Sequence, residues 1–279
     1  MSTLQRGPVV STEGTRNDLL AAREQMAAEG KELVDQARAR GLKLRLVGGL
    51  AVRDHCEVLD FCSRDHSDLD MASLSATVVD LVAFFAARGY TEDPHARQAT
   101  GGTQARFWRP CVHGGDRPVH EDDHVDVFLD TFVMDHSIDL RQRLDIEPYT
   151  LPLSDVLLTK LQIYESDTRD LRDAVTILKD RVLGEEDVPG VINGAYIARL
   201  CAADWGLYHD VLRNLSALAD LIPSLGLAPH DAARVEASRA RLEAAIEDEP
   251  KTRRWRRRAR KGTRRAWHNE VEERDGTGG

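Results

Sequence analysis

Three aspartates and a pair of glycines are the residues whose types and spacing could do chemistry. Asp68 and Asp70 stand two apart in Ser67–Met71, a short run that reads as a strand, so both carboxylates leave it from one face. Asp126 lies in a second strand-like run, 125–132. There Val125, Val127 and Leu129 share one side, and Asp126, Phe128 and Asp130 share the other. Three carboxylates converging from two adjacent strands suit Mg²⁺ or Mn²⁺, hard cations held by one or two carboxylates plus substrate phosphates. Two such ions would clamp the attacking and leaving oxygens of a phosphoryl-type transfer. Gly48-Gly49 falls where a strand hands over to a helix, and small residues there let a phosphate approach backbone N–H groups. Singly, Gly-Gly is also an ordinary turn and Asp-x-Asp an ordinary strand edge. Their order and context join them.

The elements that must position these groups follow from periodicity. Residues 17–40 read as helical, closed by Gly41, and Leu42–Val47 alternates apolar and basic residues as a strand does. A helix is expected over 50–60 and another over 75–88, with short strands such as Gln104–Trp108 between Tyr90 and Pro118. Beyond Pro152 the pattern turns helical, over 155–165, 169–182, 194–203, 207–222 and 229–249. The expected organisation is a flexible N-terminus, 1–16, an α/β (α+β) body with a mixed sheet, 17–150, a helical body, 151–250, and a basic disordered tail, 251–279. No internal repeat is evident.

Composition narrows the class. The chain has 279 residues, 42% hydrophobic and 30% charged, the balance of a globular protein. No apolar run approaches the length of a membrane span, and the first 16 residues lack the apolar core of a signal peptide. Four cysteines (Cys56, Cys62, Cys111, Cys201) form no CxxC pair. A reducing cytoplasm is expected, with Cys56 and Cys62 as small buried side chains. Charge is uneven: residues 251–279 carry a net +7 within a chain of net −9.

Lys160 sits in the apolar helical run Val156–Ile163, where it must either snorkel to an edge or meet an anion. Asp170 and Asp173, one turn apart on the next helix, either orient Lys160 or the acceptor, or form an exposed pattern with Arg169 and Arg172. Ser67 either hydrogen-bonds a phosphate oxygen or makes a turn, and Arg64 offers charge to a phosphate. His113, His120 and His124 match no zinc spacing and read as a polar loop leading into the Asp126 strand. Lys251–Trp267 contains ten basic residues, no acidic one, and two tryptophans. It would bind RNA through phosphates with Trp255 and Trp267 stacking on unpaired bases, lie on an anionic membrane, or fold onto the acidic body of this chain or a protein partner.

Val47-Gly48-Gly49, then Arg64-Asp65-His66-Ser67-Asp68-Leu69-Asp70, then Val125-Asp126-Val127 resembles the DNA polymerase β-like nucleotidyltransferase superfamily. The Arg64–Asp70 run is like that of small-molecule nucleotidyltransferases. Leu157–Gln162 and Arg169–Asp173 resemble the abortive-infection toxin branch. The resemblance covers roughly residues 40–182, with a longer spacer between Gly49 and Asp68 than the superfamily's. It implies that Gly48 and Gly49 cradle a nucleoside triphosphate, and that Asp68 and Asp70 bind two metal ions. Asp126 would bind the second ion and help deprotonate an acceptor hydroxyl, and Lys160 would contact the triphosphate. The implied activity moves a nucleoside monophosphate to an RNA 3′ end, a small molecule or a protein. The alternative is a non-catalytic module of the same shape that binds RNA or a protein partner through its tail.

Overall fold

The computed structural model describes residues 12–58, 61, 69–109 and 123–269, with side chains from residue 24 onward. The chain opens with α1 (Thr12–Arg38), which starts inside the stretch expected to be flexible. Gly41, at φ +74°, closes it: Leu42 N–H reaches back to the Ala37 carbonyl and Gly41 N–H to that of Arg38, the two bonds of a Schellman ending. β1 (Arg45–Leu46) and α2 (Gly48–Asp54) follow. The strand expected over 42–47 and the helix expected over 50–60 are both shorter than their apolar patterns suggest. Next come β2 (Leu69–Ser73), α3 (Val78–Ala86), β3 (Thr91–Asp93) and α4 (Pro94–Ala99). α4 has no counterpart in the sequence reading. Pro94 at its first turn and the Asp93 carboxylate accepting from His95 N–H at 2.9 Å are enough to start it.

β4 (Gln104–Arg109), β5 (Asp123–Leu129) and the hairpin β6 (Thr131–Val133) and β7 (Ser137–Asp139) come next. The run expected as one strand over 125–132 breaks at Asp130, at φ +61°, whose carboxylate accepts from the Ser75 backbone N–H. The main sheet has order β1-β2-β5-β4-β3. β2 and β5 are parallel and the other three pairings antiparallel, so the sheet is mixed, as expected. Its apolar face carries Leu69, Met71, Ala105, Phe107, Val125 and Val127, all buried. α3 covers it through Phe85, stacked on Phe107 at 4.3 Å. α1 covers it at Gly30, where a Cβ would stand 2.8 Å from Leu46.

The rest is helical: α5 (Leu153–Leu161), α6 (Thr168–Asp180), then short parallel strands β8 (Val182–Gly184) and β9 (Val191–Asn193), then α7 (Gly194–Ala203), α8 (Trp205–Leu221) and α9 (Pro229–Asp248). One set of buried side chains runs from Leu33 to Ile246. It crosses residue 150, where Tyr149 and Leu151 bond to the two sides of Leu46. Every residue of α5 is buried. That includes Asp155, whose carboxylate accepts from Arg143 at 2.9 Å and Tyr196 at 2.8 Å. Burial pushes its pKa to about 6 against the pull of Arg143.

The disorder expected from residue 251 does not describe residues 252–269. Thr252 caps α10 (Arg253–Ala259) through a bond from Trp255 N–H, and Trp267 seats over Gly206, where a Cβ would stand 2.5 Å from its carbonyl oxygen. Cys56 is buried, as expected, and is disulfide-bonded, and Cys201 is a free, buried thiol. Among the described residues no helix is long and apolar enough to cross a membrane.

His55 ends α2 and gives a pH test of the packing. Its Nε2 lies 2.8 Å from Thr150 Oγ1, and burial pushes its pKa down from 6.5 to about 4, with Asp54 opposing. The unfolded chain takes up this proton near pH 6.5 while the folded one resists until about pH 4, so stability present above 6.5 is lost on acidification through that window. The fall in melting temperature between pH 7 and pH 5 should be smaller in His55→Gln than in the unaltered protein. Equal falls would mean that His55 is not held neutral.

Candidate active site

The parallel register of β2 on β5 pairs Leu69 with Val125, Asp70 with Asp126 and Met71 with Val127. Since side chains alternate along a strand, the apolar partners fill the core and the two aspartates stand side by side on the opposite face. β4 extends the row, with Arg106 paired to Asp126 on the far side of β5. Asp70, Asp126 and Arg106 therefore form one line across three strands.

Asp126 is buried and held by a two-pronged bond. Arg106 Nε lies 2.7 Å from one carboxylate oxygen and Nη2 lies 2.8 Å from the other, the fork geometry that guanidinium and carboxylate share. His124, two residues earlier on the same face, places Nε2 4.0 Å from Asp126 Oδ2, and its ring lies 4.9 Å from that of Trp108. His124 is thus part of β5, not of a polar loop leading into it.

Gly48 closes the row from above. Val47 N–H donates to the Asp70 carbonyl at 2.9 Å, which brings the start of α2 directly over β2. Gly48 has φ +62°, and a Cβ there would stand 2.6 Å from Asp70 Oδ2. Both the backbone angle and the space exclude a side chain. Gly49 follows in the first turn of α2, and Val47 at the cap supplies no side-chain acceptor to the first N–H groups.

Lys160 joins a different cluster. Its ammonium lies 3.0 Å from Asp170 and 3.0 Å from Asp173, with all three residues buried. Of the readings open from sequence, the one in which α6 aspartates orient this lysine matches the geometry, and the exposed charge pattern does not. The Asp167 side chain caps α6 by accepting from Arg169 and Asp170 N–H, and Arg172 further along the helix donates to the Phe61 carbonyl. Arg64, Ser67 and Asp68 lie outside the described residues. Among the described residues no group of three acidic, histidine or cysteine side chains is placed to hold a metal ion. The donors that are placed, the oxygens of Asp70 and Asp126, are of the hard kind that Mg²⁺ takes.

No family model matches the chain, and no curated protein matches its sequence significantly. Among solved structures it is similar to the antibiotic-resistance factor ANT(2″)-Ia, with 13% identity over 64% of this chain and 95% of that one, at a TM-score of 0.34. It is also similar to an antigenic nucleotidyltransferase-like protein from Paracoccidioides brasiliensis, with 12% identity over 82% of this chain and 95% of that one, at a TM-score of 0.39. Likenesses this distant leave the site to be read from its own residues.

Arg106, Trp108 and His124 are the site residues that motif spacing passed over. The signal was present in the alternation of Gln104–Trp108: Ala105 and Phe107 claim the core, which turns Arg106 and Trp108 to the face of the aspartates.

Gly48→Ala should cost about 2–4 kcal/mol, combining a left-handed backbone penalty with overpacking. Gly41→Ala, at a similar φ but in open space, should cost about 1 kcal/mol. Denaturant unfolding checks both. Adding Asp70→Ala to Gly48→Ala should recover most of the difference; simple additivity would mean that the Gly48–Asp70 contact is not the cause.

Proposed function

We propose that the chain is a metal-dependent nucleotidyltransferase that moves a nucleoside monophosphate from an NTP to a hydroxyl acceptor, releasing pyrophosphate. The observation that carries this reading is the pair Asp70 and Asp126, in register on adjacent parallel strands, beneath a glycine whose missing Cβ leaves room only for backbone. That juxtaposition of carboxylates with a side-chain-free helix start is what binding a metal-bound triphosphate requires. Asp70 would hold the cation, with Asp68 as its proposed companion. When bound, Mg²⁺ or Mn²⁺ neutralises charge on the phosphates.

The chain's own residues then have distinct tasks. Gly48 and Gly49 offer backbone N–H groups to the triphosphate, and Arg64 and Ser67 are its proposed additional contacts. Asp126, whose direction Arg106 fixes, would bind the second ion and help take the proton of an incoming hydroxyl. In-line displacement at phosphorus rewards such positioning and charge placement more than covalent help from the protein. Lys160 is assigned to orienting α5 against α6 through Asp170 and Asp173.

A second reading is favoured by Arg106. It engages both oxygens of Asp126, so the chain already neutralises that carboxylate without a metal, as a non-catalytic module would.

The deciding experiment offers the protein each of four α-labelled NTPs with Mg²⁺ or Mn²⁺ and, in turn, total RNA, aminoglycoside-type small molecules and protein acceptors. Label should pass to one acceptor class, and Asp70→Asn and Asp126→Asn should each reduce transfer at least about 100-fold. Metal-dependent NTP binding by calorimetry without transfer to any acceptor would favour the non-catalytic module. Absence of such binding would overturn the nucleotide reading altogether.

A further inference from the structure

The segment after α9 carries ten Lys/Arg and no acidic residue from Lys251 to Trp267, and its folding sorts these cations into two groups. Lys251 turns back to bond the last carbonyls of α9. Arg258 turns inward, stacking on Trp205 at 4.8 Å and bonding the carbonyls of Gly262 and Arg265. The other eight are exposed, four along α10 (Arg253, Arg254, Arg256, Arg257) and four in the turn behind it. Among the described residues none of the eight makes an ion pair, although the rest of the chain has an excess of carboxylates. Elsewhere among the described residues some exposed arginines are paired, as Arg141 is with Asp139 and Arg169 with Asp167, and the unpaired ones, such as Arg199 and Arg234, are scattered singly. Eight like charges crowded on three turns repel one another, and the fold supplies them no counter-charge.

The aromatic residues go the other way. Trp255 stands edge-on to Tyr208 with ring centres 5.0 Å apart, and its Nε1 is buried. Trp267 packs among Tyr164, Trp205 and His209 and donates to Asp210 at 3.0 Å. Both rings are half-buried against these neighbours. Among the described residues the large exposed apolar side chains, Val58, Val79, Val182 and Val188, all lie outside residues 253–265.

We propose that residues 253–265 form a docking face for the phosphodiester backbone of a double-stranded nucleic acid, read by charge alone. A duplex presents closely spaced phosphates on a stiff surface and hides its bases, which matches a face of crowded, unpaired arginines whose neighbouring tryptophans are half-buried in the body. This inference does not depend on nucleotidyl transfer, because it concerns a surface and a binding event separate from the aspartate row.

The test is fluorescence anisotropy of the full chain with labelled 20-nucleotide duplex RNA, duplex DNA and single-stranded RNA, and flotation with phosphatidylserine vesicles. Duplex binding should weaken on the order of 100-fold from 50 to 200 mM salt, the slope expected of about four released counterions. Arg253→Gln/Arg254→Gln/Arg256→Gln/Arg257→Gln should lose at least about 30-fold in affinity with an unchanged melting temperature, whereas Arg141→Gln should bind normally. Preference between the two duplexes would name the natural source of the phosphates. Tighter binding to the single strand with quenched tryptophan emission would overturn the proposal. Binding to vesicles alone, or to nothing, would also overturn it.

Discussion

The parallel pairing of β2 with β5 places Asp70 beside Asp126, and like charges directly opposite on neighbouring strands are destabilising. The surrounding structure answers that repulsion. Arg106, one strand further over, neutralises Asp126 with two bonds. The apolar reverse face, with Phe107 stacked on Phe85, holds the strands in register against any tendency to part. Gly48, with no side chain, lets backbone come down onto Asp70 where any other residue would collide.

The helical half solves a related problem by internal pairing. Lys160 lies on the fully buried helix α5 and is met by two aspartates from α6. Arg143 bridges buried Asp155 to Asp187. Breaking such a pair leaves a buried charge uncompensated, which costs more than the pair gains by forming. These contacts fix the relative placement of α5, α6 and the β8–β9 connection more than they add to stability. Because α6 also grips Phe61 through Arg172, the placement extends to the chain leading from α2 toward β2.

Patterns set by local chemistry were readable from sequence. The alternation around Asp70 and Asp126, the closing of α1 at Gly41 and the succession of helices after Pro152 all follow from period and cap residues, and the structure reproduces them. What escaped required partners distant in sequence. Arg106 becomes a site residue only when β4 lies antiparallel to β5, a pairing that no single segment announces. The ends of α2 moved because tertiary contacts, not apolar pattern, decide where a short helix stops. The basic segment looked unstructured because its composition has too few apolar residues to fold alone. It folds on a surface already built, through two tryptophans and one arginine. Arg64, Ser67 and Asp68 belong to the Asp-x-Asp segment and lie outside the described residues.

The seat of Trp267 has a mechanical consequence. Asp210 is fully buried on α8; burial pushes its carboxyl pKa up, but bonds from His136 and His209 and the charge of Arg213 outweigh that and hold it below the ordinary range. Trp267 bonds the same carboxylate, while Asn269 bonds the backbone of Asp135 and Met134 in the β6–β7 hairpin. The C-terminal segment therefore acts as a tie-bar between hairpin and helix, anchored at both ends of its span. Load applied to its arginines is carried into α8 and the hairpin together, so anything that grips this face from outside tensions the same body that holds the sheet.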